Sequence, residues 1–154
     1  MASLKVLDSA LIIFEITLSV EHLLLLEVNG TLEILPTEDV QAEDGRRIGS
    51  AMAARAPAAR PDGVVGAADL LAMGLVQALE AAGVHVPEDI IVTGYDNNRA
   101  AWNSRVPLTT VDQMGEQVGE HAIKLLLSEF AQGVGHVHRQ VIVKPTLVSR
   151  TSSG

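Results

Sequence analysis

The sequence predicts an α/β domain whose sheet is parallel at its centre. Three observations carry that expectation. Short apolar runs without helical period occur at Val64-Val65 and Ile90-Ile91-Val92, as in strands buried on both faces. Between them lies a segment with the chemistry of a helix start and stop. Asp69 is placed to accept the free N–H groups of a helix beginning at Leu70, and Gly83 can take the left-handed conformation that ends it. From Pro36 onward, strand and helix patterns alternate to the end of the chain, the rhythm of a layered α/β sheet.

In chain order, Phe14 to Glu21 alternates apolar and polar residues, the period of a half-buried strand at an edge or in a hairpin. Leu23 to Leu26 reads as a second strand. Asn29-Gly30 is the strongest two-residue turn signal in the chain, and Thr31 to Leu35 resumes as a strand. Residues 1–35 therefore read as a β-rich N-terminal segment of about three strands, and residues 36–154 as the α/β lobe. Thr37 or Asp39 can cap a helix running to about Arg55, with Ile48 and Met52 one turn apart on its inner face. The 70–82 helix carries Leu71, Val76 and Leu79 beside the small residues Ala72, Gly74 and Ala78, which allow a neighbour to approach closely. A helix is expected over 115–132, apolar at Val118, Ala122, Leu125 and Leu126, and ended by Gly133-Val134-Gly135. Val137 to Val143 and Leu147 to Arg150 read as two last strands around Lys144-Pro145.

Composition narrows the function classes. A chain of 154 residues has length for one domain with a good core. Its aromatic residues are Phe14, Tyr95, Trp102 and Phe130, so the core must be mainly aliphatic. The absence of cysteine excludes disulfides and thiolate metal sites, and suits a reducing cytoplasm. A net charge of −8 works against phosphate binding, so this chain alone is not expected to hold DNA. Leu11 to Val28 is apolar, but Glu15, Glu21, His22 and Glu27 interrupt it. A charge at mid-bilayer costs about 2.5–3.5 kcal/mol on insertion scales, so no membrane span is expected, and Lys5 alone does not supply the basic start and small-residue cleavage site of a secretory signal. No dinucleotide, phosphate-loop, serine-elbow or zinc-helix motif is present, and no nucleophile lies near a base, so an enzyme is not expected. His136 and His138 lack a third ligand, and Asp39, Glu43 and Asp44 read as an acidic first helical turn complementing the helix dipole. No cofactor is expected.

Three motifs carry a resemblance: AADLLAMG at Ala67–Gly74, VPEDIIVTGYDN at Val86–Asn97 and PLTTVDQ at Pro107–Gln113. In this order and spacing, the chain from about Ile34 to Gly154 resembles the effector-binding C-terminal portion of the lactose/galactose-repressor (LacI/GalR) family of transcription regulators. The resemblance implies a periplasmic-binding-protein-like, flavodoxin-like lobe with helices on both faces of a mostly parallel sheet, plus extra N-terminal strands. It implies a sugar-like or nucleobase-like small-molecule effector held at the strand ends, and a homodimer through the helix from Leu70 and the loop from Asn97 to Asn103. It also implies operator DNA contacted only through a helix-turn-helix that nothing before Pro36 resembles, so an N-terminally truncated regulator is expected.

Carried over residue by residue, Asp96 falls at the family's ligand-binding aspartate, a carboxylate suited to adjacent sugar hydroxyls. The other candidate effector contacts are Tyr95, Gln113, Asp69 and Trp102. Each has a plainer alternative: a loop turn for Asp96, a cap for Asp69, a hinge for Gln113, packing for Tyr95 and Trp102. Two positions depart from the family pattern. Ala68 stands at the usual asparagine and Val40 where many relatives place an aromatic ring. These departures leave a second reading open, a dimerisation fragment with a dead cleft. A sugar-binding transport module is a third.

Overall fold

The computed structural model describes residues 11–13, 32–37, 39–132 and 137–154. Its strands are β1 (Leu11–Ile13), β2 (Leu32–Ile34), β3 (Gly63–Val65), β4 (Ile91–Tyr95), β5 (Thr109–Asp112) and β6 (Thr146–Val148). The helices are α1 (Ala42–Ala53), α2 (Asp69–Ala81), the single turn α3 (Arg99–Trp102) and α4 (Gly115–Gln132). Short 3-10 turns occupy Pro57–Ala59 and Thr151–Ser153.

Among the described residues one sheet holds every strand, in the order β2-β1-β3-β4-β5-β6. Neighbours are parallel except β6, which runs antiparallel to β5 with Thr110 opposite Val148. The chain steps from β1 to β2 on one side and then to β3 on the other, so the winding reverses beside β1. In such sheets ligands bind outside the carboxyl ends of the strands near that reversal.

Two short strands from the first 35 residues join the main sheet. Leu11–Ile13 lies between β2 and β3, and pairs in parallel with both. β1 and β2 thus extend the main sheet in parallel. The expected strands Phe14–Glu21 and Leu23–Leu26, the Asn29-Gly30 turn and the Gly133–Gly135 break lie outside the described residues.

The core forms where α2 lies on β4 and α1 lies along α2. Leu71, Leu75, Leu79, Val64, Ile90, Val92, Met52 and Leu108 are buried there, each large aliphatic side chain contributing roughly 1.5–3 kcal/mol by leaving water. Ile48 and Met52 point inward as their spacing predicts. Glycine sets the closeness of the two helices. A Cβ at Gly45 would overlap the Leu71 carbonyl, one at Gly49 would meet the Leu75 carbonyl, and one at Gly74 would overlap the Ala42 carbonyl.

α2 ends as its sequence predicts. Gly83 has φ +76°, its N–H donates to the Glu80 carbonyl at 3.1 Å, and the Val84 N–H donates to the Leu79 carbonyl at 3.0 Å. This is a Schellman ending, with buried Leu79 and Val84 at its two apolar positions.

Three local expectations need correction. Ala68, not Asp69, precedes the first turn of α2, and no side chain caps it. Neither Thr37 nor Asp39 caps α1, which starts after Gln41. The Asp39 carboxylate accepts from the Val40 N–H beside it at 2.8 Å, and Asp44 reaches back to the Asp39 N–H at 3.2 Å. Val137 to Val143 forms no strand. Val137, Val141 and Ile142 are exposed, and none of the described strands pairs with that segment.

α4 has the predicted bounds, but no residue along it is buried. Ile123, Leu127 and Phe130 are 60%, 60% and 76% exposed, so its apolar stripe faces outward. Among the described residues no helix is long and apolar enough to cross a membrane.

Candidate functional site

Three loops meet at the carboxyl edge of the parallel strands: Gly66 to Ala68 after β3, Asp96 to Asn98 after β4, and Gln113 to Met114 after β5. Asp96, Asn97 and Met114 take φ of 116°, 54° and 56°. Left-handed backbone at a non-glycine residue costs roughly 1–2 kcal/mol, and it persists where surrounding contacts over-determine it.

Asn97 supplies much of that determination. Its Nδ2 donates to Asp112 Oδ2 at 2.9 Å. Its Oδ1 accepts from Trp102 Nε1 at 2.8 Å and from Arg150 Nη2 at 2.6 Å. Its backbone N–H reaches Thr110 Oγ1 at 3.3 Å. Turning the amide over would set donor against donor at Trp102 and Arg150, so the network fixes its orientation. Asp112 completes the brace by accepting from the Met114 N–H at 2.7 Å. That amide first, and the Asn97 amide second, hold the Asp112 carboxyl below the usual carboxylate range.

Asp96 stands in front of this frame. Its side chain is exposed, its N–H donates to the Val111 carbonyl at 3.0 Å, and its Oδ1 accepts from Gln113 Nε2 at 2.6 Å. The remaining carboxylate lone pairs face outward for a hydroxyl or N–H donor. Gln113 and Asp96 are thus brought together, with Tyr95, half-buried, one residue before. Trp102 is 54% exposed, so the buried packing role weighed for it gives way to a half-open ring. Arg150 lies over that ring at 5.3 Å from the centroid, a cation–π arrangement.

Asp69 is fully buried. Its carboxylate accepts from the Thr110 hydroxyl at 2.6 Å and the Asn98 N–H at 2.8 Å, tying α2 to β5 and to the loop after β4. Burial pushes its pKa up, against the lowering effect of those two donors. Gly94 makes room for it, because a Cβ there would press on Asp69 Oδ1 and on Leu108. Ala68 is buried and Val40 is 44% exposed. Among the described residues no group of three His, Asp or Glu side chains could hold a metal ion.

Sequence reasoning missed Asn97 and Arg150. Arg150 lies 53 positions from Asn97, and no local pattern signals a partner that distant.

A parallel sheet that reverses its winding beside β1, with polar loops gathered at its carboxyl edge, defines one lobe of a ligand-binding protein of the periplasmic-binding type. Residues 22–153 match the model of the periplasmic binding protein-like domain, and the chain belongs to that family as the C-terminal portion of a LacI/GalR-type regulator. It is 40% identical over 93 residues to the HTH-type transcriptional repressor PurR of Photobacterium profundum, covering 60% of this chain and 28% of that one. The PurR of Erwinia tasmaniensis is 37% identical over 120 residues, 78% of this chain and 34% of its own length. The chain thus spans about a third or less of these curated relatives. A LacI family transcriptional regulator from Lactobacillus casei, solved with bound sucrose, superposes with a TM-score of 0.79 at 27% identity, over 94% of this chain and 56% of its own. The family match begins before Ile34, so the likeness reaches into the segment that the three motifs left out.

Proposed function

We propose that this chain is the effector-binding and dimerisation lobe of a LacI-family transcriptional repressor, and that its effector docks at the carboxyl edge on Asp96. The observation that carries the reading is the exposed Asp96 carboxylate, steadied by Gln113 on a loop held in left-handed conformation. Tyr95 and Trp102 border it, and Asp69 supports it from behind as a buried brace. The effector class is a polyol or a nucleobase-like ring, both rich in donors for a carboxylate. Sucrose bound to the Lactobacillus casei relative supports the first.

In the intact protein, effector binding would shift the balance of lobe arrangements and so alter DNA affinity at a distance. DNA contact itself belongs to a segment outside these residues, in keeping with the HTH-type relatives. On this reading residues 36–154 are the effector-binding lobe, residues 1–35 precede it, and the protein works in the cytoplasm without catalysing a reaction. An isologous homodimer through the helix from Leu70 and the loop from Asn97 to Asn103 belongs to the same reading.

The test is thermal unfolding of the purified chain with and without sucrose, glucose, pentoses, their phosphates and purines. Ligand at about 100 times its Kd adds roughly 2.7 kcal/mol to the native state. A shift abolished by Asp96→Ala supports the reading, and a shift retained in that variant moves the site elsewhere. Absence of any shift favours the dimerisation fragment with a dead cleft, to which Ala68 and Val40 already lean.

A further inference from the structure

Arg150 comes from the far end of the chain and reaches the centre of the loop that bears Asp96. Its Nη1 donates to the Leu108 carbonyl at 2.7 Å and its Nη2 to Asn97 Oδ1 at 2.6 Å. Its guanidinium covers one face of Trp102, whose own Nε1 donates to the same Asn97 oxygen. Among the described residues Arg150 makes no ion pair with a carboxylate. Its guanidinium binds a carbonyl, an amide and an indole instead, and its charge also acts at longer range on the Asp69 carboxylate.

The backbone around Arg150 is anchored just as firmly. The Arg150 N–H donates to Thr109 Oγ1 at 2.7 Å, and that hydroxyl lies 2.9 Å from the Arg150 carbonyl and 2.7 Å from Ser153 Oγ. Ser152, fully buried, donates to the Val92 carbonyl and accepts from the Thr109 N–H at 2.8 Å. The last turn is thus latched across β4 and β5, and the Arg150 side chain carries the latch to the loop. A planar guanidinium suits this task because two N–H groups in a fixed fork serve two acceptors at once, whereas an ammonium is a point charge on a flexible stem.

We propose that Arg150 is a positioning residue for the effector site: it fixes Asn97 and Trp102, and through Asn97 the left-handed turn that presents Asp96. This rests on the reading of Asp96 as the effector contact. Without the fork, Asn97 keeps Asp112 and Trp102 Nε1 but loses one of the two donors on its oxygen, and Trp102 loses the guanidinium that covers its ring. The loop can then relax out of its costly conformation, and the ligand must restore that order on binding.

The experiment compares the full chain with its Arg150→Met and Arg150→Lys variants. Trp102 is the chain's single tryptophan, so emission and acrylamide quenching report on the cluster without any ligand. The second readout is the Kd for whichever sugar, sugar phosphate or purine shifts the wild-type melting point. Both variants are expected to show red-shifted emission and stronger quenching. Affinity is expected to fall by roughly tenfold, about 1.4 kcal/mol, with cooperative unfolding retained. Arg150→Lys keeps the charge, so a loss in it assigns the effect to the fork rather than to electrostatics. Unchanged emission in both variants overturns the proposal, as does altered emission with unchanged affinity. If wild type binds no probe, the effector reading falls, and with it this role for Arg150, while altered emission would still show the latch holding Trp102. If Arg150→Met fails to fold, Arg150→Lys decides on the same two readouts.

Discussion

The Asp69 carboxylate on the first turn of α2 accepts the Thr110 hydroxyl of β5 at 2.6 Å, although the two lie 41 positions apart. The same carboxylate accepts the Asn98 N–H at 2.8 Å. One buried side chain therefore joins a helix, a strand and the loop that bears Asp96. Replacing it by alanine leaves two donors unpaired in a dry site, at about 1–3 kcal/mol each. Asp69→Ala is expected to lower the melting temperature by roughly 4–24 °C in calorimetry, the range given by about 2–6 kcal/mol at about 2–4 °C per kcal/mol for a chain of this size. Asp69→Asn, which keeps one acceptor and gains a donor, should lose less.

The two carboxylates behind the loop respond to pH in opposite senses. Burial raises the Asp69 pKa above its unfolded value, so its contribution to stability is full below the unfolded value and falls as pH rises through the raised one. The Asp112 pKa is lowered by the Met114 and Asn97 amides. Its contribution is present above the unfolded value and is lost as pH falls through the lowered one. Denaturant melts across pH 2–7 should show Asp69→Asn removing the decline with rising pH. Asp112→Asn should remove the acid-side loss, and Trp102 emission should report loop loosening at acid pH only while Asp112 is present.

Gly45 and Gly74 let α1 and α2 approach to backbone contact. Gly45→Ala would drive a methyl group into the Leu71 carbonyl and force the helices apart. Over-packing of this kind costs about 1–3 kcal/mol, which outweighs the helix-propensity gain of up to about 1 kcal/mol from Gly to Ala. The variant is expected to unfold at lower denaturant, with the midpoint measured by circular dichroism. A midpoint equal to or above wild type would show that the helices are free to move apart.

Arg55 at the end of α1 binds both carboxylate oxygens of Glu33 on β2 at 2.8 Å, and this hydrogen bonding lowers the Glu33 pKa. Both side chains are about a third exposed or more, so solvent screens the pair. A double-mutant cycle of Glu33→Gln and Arg55→Met is expected to give a coupling of about 0.2–1 kcal/mol, shrinking further in high salt.

The outward stripe of α4 contributes little to this lobe. Leu127→Lys and Phe130→Glu are each expected to change stability by less than about 0.5 kcal/mol while reducing self-association of the chain in light scattering. A large drop in stability would mean that something covers this stripe in solution.

The sequence alone determined the elements that depend on neighbours along the chain. Gly83 ended α2 because only its own backbone and the preceding turn decide that conformation. Ile48 and Met52 faced inward because helical spacing puts them on one side. The apolar runs at Val64 and Ile91 marked two strands by their lack of helical period, and the three motifs in order were enough to indicate the family. What only the tertiary structure decided were choices made by partners far away in the chain. Asp69 has the right residue type and place for a cap, yet a hydroxyl from β5 and an amide from the loop after β4 claim its carboxylate instead. Val137 to Val143 has strand composition, but a strand needs a neighbour to satisfy its backbone, and none of the described strands pairs with it. Arg150 carries no local signal at all. Its role exists because the sheet brings the last turn of the chain against β4 and β5, and sets its guanidinium beside the loop that presents Asp96.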